Sequence, residues 1–210
     1  MPGILLGDVL PNFEAETTIG KIKFHEFLGN SWGILFSHPR DFTPVCTTEL
    51  ARAAKLHDEF KKRDVKMIAL SIDSVEDHRK WSEVCLRSKF SAEIHFVVKW
   101  VEKHCFRIRE LWLRIGDCET VFVVGPDKRL KLSILYPATT GRNFDEILRV
   151  IDSLQLTATK KVATPVDWQP GQEVMVIPSL SDEEANKLFP AGFTLKEVPS
   201  GKKYIRYTKP

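Results

Sequence analysis

The chain has 210 residues, enough for one full-sized domain and a small appendage. Its composition, 43% hydrophobic and 28% charged, excludes a disordered or fibrous class. The net charge of +3 is spread along the chain and forms no basic stripe, so no nucleic-acid partner is expected, while weak attraction to an anionic lipid surface stays open.

No apolar run approaches the roughly 20 residues of a membrane span. Residues 1–10 lack a basic segment and carry Asp8, so they do not read as a signal peptide, and the last residues are not a retention or peroxisomal address. The expected location is cytoplasmic. The four cysteines then read as thiols and not as a disulfide framework. There is no Cys-x-x-Cys pair and no Cys/His cluster at zinc spacing, so no metal site is expected.

In chain order, residues 1–30 alternate short apolar stretches with turn signals and read as short strands or a hairpin. Residues 32–37 (WGILFS) form a compact apolar run bounded by Gly and Pro, which predicts a fully buried strand. Residues 47–63 predict a helix, with Leu50, Ala53, Ala54, Leu56 and Phe60 on one side and Lys61, Lys62 and Arg63 at its C-terminal end. Residues 65–72 (VKMIALSI) predict a second buried strand. Ser74 with Asp77 resembles a capping arrangement for a short helix through Trp81. Residues 120–124 and 129–136 flank Gly125-Pro126-Asp127-Lys128 and predict a β-hairpin. Phe144, Ile147, Leu148, Ile151 and Leu154 then fall at helical spacing behind Asn143. The order β-α-β followed by β-β-α is a thioredoxin-like α/β layout. From about residue 157 the texture changes. Prolines recur, residues 173–177 and 203–207 read as short strands, and residues 182–189 as a short helix. The expected division is 1–156 for the α/β domain and 157–210 for a small C-terminal α+β domain.

The chemistry centres on residues 39–49 (PRDFTPVCTTE). Thr43 suits an N-cap and Pro44 a first helical position, which puts Cys46 in the first turn near free backbone N–H groups. The positive helix end favours a thiolate, the form that attacks a peroxide oxygen and becomes a sulfenic acid. A lone cysteine is as readily a small buried hydrophobe, and spacing alone leaves both readings standing.

The stretch Pro39-x-x-x-Thr43-x-x-Cys46, with FSHPRDFTPVCTTELARAAKL around it, resembles the peroxidatic motif of the 1-Cys peroxiredoxins of the peroxiredoxin 6 type. So do residues 69–78, 125–151 and 163–168. The resemblance covers 1–81 and 121–210. It implies a thioredoxin-like peroxiredoxin domain, a C-terminal extension that helps form a homodimer, and reduction of hydrogen peroxide and lipid hydroperoxides. It makes Cys46 the peroxidatic cysteine, with Thr43 bonding thiolate and peroxide, Pro39 shielding the pocket, His38 beside it and Arg142 one of the nearby arginines. No cysteine follows Cys118, so the resemblance implies no bound cofactor and an external reductant, glutathione, delivered by a pi-class glutathione S-transferase. By the same resemblance a lysosomal pool accompanies the cytoplasmic one.

A second motif, Gly29-Asn30-Ser31-Trp32-Gly33, matches G-x-S-x-G, but its serine precedes a strand where a nucleophile elbow follows one. A turn serine is the plain reading. The family resemblance adds a calcium-independent phospholipase A2 activity, whose serine, histidine and aspartate fall on Ser31, His25 and Asp127. This would make the chain a lipid hydrolase acting on phospholipid surfaces. The family's H-x-x-x-x-D acyltransferase pattern is not met, because Asn30 stands where the aspartate would be.

Residues 82–118 do not resemble the family and read as a change of frame or splicing. They lack its Phe-Pro strand motif and carry Cys85, Cys105 and Cys118, which read as accidental thiols or as a new resolving group. Two consequences follow. Residues 96–98 or a neighbour must replace the missing strand for the sheet to close. Aligned back from Phe122 and Gly125, the family's other active-site arginine falls on Glu119, where a carboxylate raises the thiol pKa, with Arg114 the substitute cation. A catalytically impaired relative that keeps only dimerisation or lipid binding is the remaining alternative.

Overall fold

The computed structural model describes residues 4–71, 73–86, 95–100 and 118–210; for 82–86, 95–100 and 118 the backbone alone is described. It divides into two compact units, Met1–Phe144 and Asp145–Pro210.

The first unit is built on a seven-stranded sheet. A hairpin of β1 (Glu14–Thr17) and β2 (Gly20–Lys23) leads into a short helix, α1 (Phe24–Leu28). The strand β3 (Trp32–Ser37) follows, buried at all six positions as its unbroken apolar run requires. A crossover of α2 (Pro44–Lys55) and α3 (His57–Lys62) returns the chain to β4 (Val65–Leu70), parallel to β3. Next come α4 (Val75–Leu86), β5 (His95–Trp100) and the hairpin β6 (Cys118–Val124) and β7 (Leu130–Pro137). The spatial order is β2-β1-β5-β4-β3-β6-β7. Leu10, Phe13, Phe24, Leu28, Leu35, Ile68, Phe122 and Leu130 share one core cluster.

The strand that the sequence reading asks residues 96–98 or a neighbour to supply is β5. It runs parallel to β4, with Ile68 opposite His95 and Leu70 opposite Val97, and antiparallel to β1, with Thr17 opposite Val97. Residues 96–98 therefore close the gap between β1 and β4.

Three expectations need correction. Residues 1–30 hold a helix, α1, which is too short to show a helical period. The helix expected over 47–63 is two, interrupted at Leu56 (φ −98°, ψ 7°), whose N–H is shared between the Arg52 and Ala53 carbonyls. No Gly or Pro marks that break. Thr43 does occupy the N-cap of α2 in extended conformation, but its hydroxyl makes no cap bond; it donates to Arg40 O at 3.1 Å. The cap expected at Ser74 is present, with Asp77 N–H donating to Ser74 Oγ at 3.1 Å.

In the second unit α5 (Phe144–Thr159) is followed by β8 (Val162–Ala163), β9 (Val174–Val176), α6 (Asp182–Leu188), β10 (Thr194–Leu195) and β11 (Arg206–Thr208). The strands form an antiparallel sheet in the order β10-β11-β9-β8. Val162, Trp168, Val174, Val176, Ala185 and Phe189 make its core. Ser181 and Glu184 form a reciprocal capping box on α6. The break at 144/145 puts α5 with this unit, where the sequence reading keeps it with the first. The first unit is thioredoxin-like in its order of elements.

No helix among the described residues is long and apolar enough to cross a membrane.

Candidate active site

The site lies at the C-terminal end of β3, where α2 begins and β6 runs past in the opposite direction. On α2 the buried face is Cys46, Glu49, Leu50, Ala53 and Ala54, spaced i, i+3, i+4, i+7 and i+8. That spacing turns the Cys46 thiol and the Glu49 carboxylate inward together.

Cys46 Sγ donates to Glu119 Oε1 at 2.9 Å, and both side chains are buried. Glu119 Oε2 lies 3.0 Å from Arg142 Nη2, an ion-pair contact without hydrogen-bond alignment. Arg142 is gripped on every side. Its backbone N–H donates to Glu49 Oε1 at 2.5 Å, Nε donates to Glu49 Oε2 at 3.1 Å, and Nη2 also bonds that oxygen. Its Nη1 donates to Ser37 O (3.1 Å) and Thr120 O (2.8 Å), which ties the guanidinium to the adjacent ends of β3 and β6. The Phe36 ring packs 5.4 Å from the guanidinium carbon. One cation thus serves two buried carboxylates, and the thiol sits on the second of them.

The helix start by itself favours a thiolate, and this arrangement outweighs it in the direction expected of a carboxylate at position 119. Burial pushes the Cys46 thiol up, the Glu119 hydrogen bond adds to it, and the Thr43 hydroxyl pulls the other way; the balance is about 12. Burial likewise raises the Glu119 carboxyl, against the pull of Arg142, to about 7. A helix N-terminus supplies about 0.3–1 kcal/mol to a charge at its end, less than one pH unit of thiol ionisation.

His38 is buried and belongs to a second cluster. Its Nε2 bonds Asp41 Oδ1 at 2.8 Å, while Asp41 Oδ2 takes the Nδ1 of His78. Burial lowers the His38 pKa against the pull of Asp41. Burial alone would raise the Asp41 carboxyl, but the two imidazole bonds outweigh it and hold it below its usual range. The ligand-type atoms of His38, Asp41 and His78 lie within 4.8 Å of one another, and hydrogen bonds through Asp41 account for that closeness. Trp81 packs 5.1 Å from the His38 ring and donates from Nε1 to Thr47 Oγ1 at 3.1 Å. Pro39 is half-buried at the mouth of this loop. Phe42, exposed and at φ +56°, holds a conformation unusual for an aromatic residue two positions before α2.

The sequence reading missed Glu49, Asp41 and His78. Glu49 was available from its i+3 spacing to Cys46. His78 sits three positions before the buried Trp81, on the same helical face. Arg114 and Cys105 lie outside the described residues, as do the side chains of Cys85 and Cys118.

The three residues of the second motif are not brought together. Ser31 Oγ donates to Asp64 Oδ1 at 2.6 Å. His25 Nε2 bonds Leu10 O at 2.7 Å. Asp127 pairs with Lys131 Nζ at 2.6 Å and accepts from Arg129 N–H. Among the described residues no hydrogen bond joins any two of the three. The two glycines have structural duties: Gly29 ends α1 at φ +57°, and a Cβ on Gly33 would run into the Leu28 side chain.

Comparison with known proteins is consistent with this architecture. The AhpC/TSA family matches residues 6–92, and the C-terminal domain of 1-Cys peroxiredoxin matches residues 153–192. The peroxiredoxin-6 of Gallus gallus is 63% identical over 227 residues, covering 99% of this chain and 98% of its own. That of Homo sapiens is 62% identical, covering 99% of each. Among solved structures, a cysteine-to-serine mutant of the peroxiredoxin 6 of Arenicola marina superposes with a TM-score of 0.88 at 57% identity, covering 99% of this chain and 98% of that one. A yeast mitochondrial 1-Cys peroxiredoxin, whose thiol is resolved via glutathione/thioredoxin systems, reaches 0.84 at 41% identity and covers 99% and 100%. With relatives this similar over almost its whole length, the chain belongs to the 1-Cys peroxiredoxins of the peroxiredoxin 6 type.

Proposed function

We propose that the chain is a thiol peroxidase that reduces hydrogen peroxide and lipid or organic hydroperoxides at Cys46. The observation that carries this reading is the buried first-turn thiol of α2 held on a charged cluster, Glu119, Arg142 and Glu49, at the carboxyl end of a central strand. Sulfur is oxidised to a sulfenic acid, and the peroxide is reduced to water or an alcohol. A second thiol must then restore Cys46. With no cysteine after Cys118, an external thiol fits, and glutathione is the proposed reductant, passed on by a pi-class glutathione S-transferase. No bound cofactor enters the scheme. A homodimer is proposed with it: β7 is an edge strand of the first unit and carries the exposed Leu135. The cytoplasm is the proposed location, with a lysosomal pool beside it.

The test is peroxide consumption by the purified protein with a thiol reductant. Turnover that disappears in Cys46→Ser supports the reading; an intact protein with no Cys46-dependent turnover rejects it. A phospholipase A2-type hydrolase at Ser31 has weaker support, because its three residues are hydrogen-bonded elsewhere. Phospholipid hydrolysis that survives Cys46→Ser and is lost in Ser31→Ala would establish it.

A further inference from the structure

Thiolate formation in this pocket is constrained by charge. Among the described residues, the groups acting on Cys46 and Glu119 are Thr43 at the N-cap of α2, Glu49 within it and Arg142 from the segment before α5; His38, at the end of β3, feels the charge of Arg142, and Tyr136 lies opposite Glu119 across the β6–β7 ladder. With both glutamates ionised, Arg142 charged and the thiol neutral, the cluster carries one net negative charge. Losing the thiol proton to solvent would make it two, buried around the one guanidinium that the described residues place there. Moving that proton onto Glu119 leaves the charge unchanged. The acceptor is already in place at 2.9 Å from Sγ, on the far side of the carboxylate from Arg142.

We propose that Glu119 is a general base and acid for the peroxide reaction, taking the Cys46 thiol proton through this contact and returning it to the oxygen that leaves. The proposal rests on the peroxidase reading above. In the first half, the S–H bond breaks and an O–H bond forms on Glu119. The thiolate then attacks the terminal peroxide oxygen. The S–O bond forms as the O–O bond breaks, and the sulfur electron pair reduces the peroxide. The departing alkoxide or hydroxide takes the proton from Glu119. The products are Cys46 sulfenic acid and an alcohol or water, with Glu119 a carboxylate again. A carboxyl titrating near 7 suits proton traffic at neutral pH.

The experiment is single-turnover oxidation of Cys46 by hydrogen peroxide, read from pH 5.5 to 9, in the unsubstituted chain, Glu119→Gln, Glu119→Asp and Cys46→Ser. For the unsubstituted chain the rate rises to a break near pH 7 and then stays level. Glu119→Gln loses about 100-fold at pH 7.5, in the usual range for a general acid–base group, and its rate climbs with pH instead. Glu119→Asp keeps the break at a reduced rate. A Glu119→Gln variant as fast as the unsubstituted chain, or faster, overturns the proposal. So does an unsubstituted profile that climbs about tenfold per pH unit through 7 to 9 with no break, the signature of an unassisted thiol; this arm needs no variant to fold. Absence of any Cys46-dependent oxidation would instead reject the peroxidase reading itself.

Discussion

The two ends of β3 carry the two candidate sites, and they behave differently. At its start, Ser31 sits in a well-formed sequence motif, yet its proposed partners are each engaged elsewhere: Asp64 takes the serine, Leu10 O the histidine and Lys131 the aspartate. At its far end, Cys46 sits in a motif of similar length, and α2, β6 and the segment before α5 all send charged groups to one buried point. The far end is also where an α/β sheet offers its crevice, beyond the carboxyl ends of parallel strands. A short motif becomes a site when the topology converges on it, and convergence separates these two.

The largest expected effect is catalytic. Cys46→Ser should remove peroxide turnover altogether, while Ser31→Ala leaves it unchanged. A Ser31→Ala chain that loses peroxidase activity while melting normally would erase the distinction between the two ends.

The next effect is on stability. Replacing Arg142 with Met leaves Glu49 and Glu119 buried without their cation, which costs about 3–5 kcal/mol. Urea unfolding measures it, and adding Glu49→Gln should return part of the loss because the two residues share one network. A cost below about 1 kcal/mol would show that the cluster is less dry than its burial implies.

Glu119 offers a finer probe. Its folded-state pKa is raised, so its protonated form is the one the fold favours. That contribution is full below its ordinary value of 4.5 and is lost as pH rises through about 7. Glu119→Gln should therefore raise the melting temperature more at pH 8 than at pH 5. Equal shifts at both would place the carboxylate in water.

How much of this was legible beforehand follows from element length and from distance along the chain. The strands β3 and β4, the β6–β7 hairpin and α4's cap were readable because each carries a full run or a local cap. The two-residue strands β8 and β10 and the five-residue α1 carry too little pattern to show a period. The break at Leu56 has no residue that announces it. Glu119 came from alignment within the family, and the structure gives it a partner 73 positions away that no local pattern encodes. The thiol state was legible in part: the helix start that favours a thiolate and the carboxylate at position 119 that opposes it both show in the sequence, whereas the burial of Cys46, the largest influence, is tertiary.

The smallest effect bears on what Ser31 does. Its hydroxyl bonds Asp64 at 2.6 Å, and Asp64 O accepts the Trp32 N–H, so two bonds tie the start of β3 to the turn before β4. Asp64 itself sits at φ +51°, a conformation that glycine adopts at less cost. Ser31→Ala should lower stability by about 1 kcal/mol, the usual net value of one hydrogen bond. Asp64→Gly trades the same bond for relief at a positive φ and should cost less. In the double variant the two costs should not add, because both remove one bond. Fully additive costs, with phospholipid hydrolysis lost in Ser31→Ala, would make Ser31 a working nucleophile and its bond to Asp64 incidental. Non-additive costs would make it a tie between the third strand and the turn that leads into the fourth.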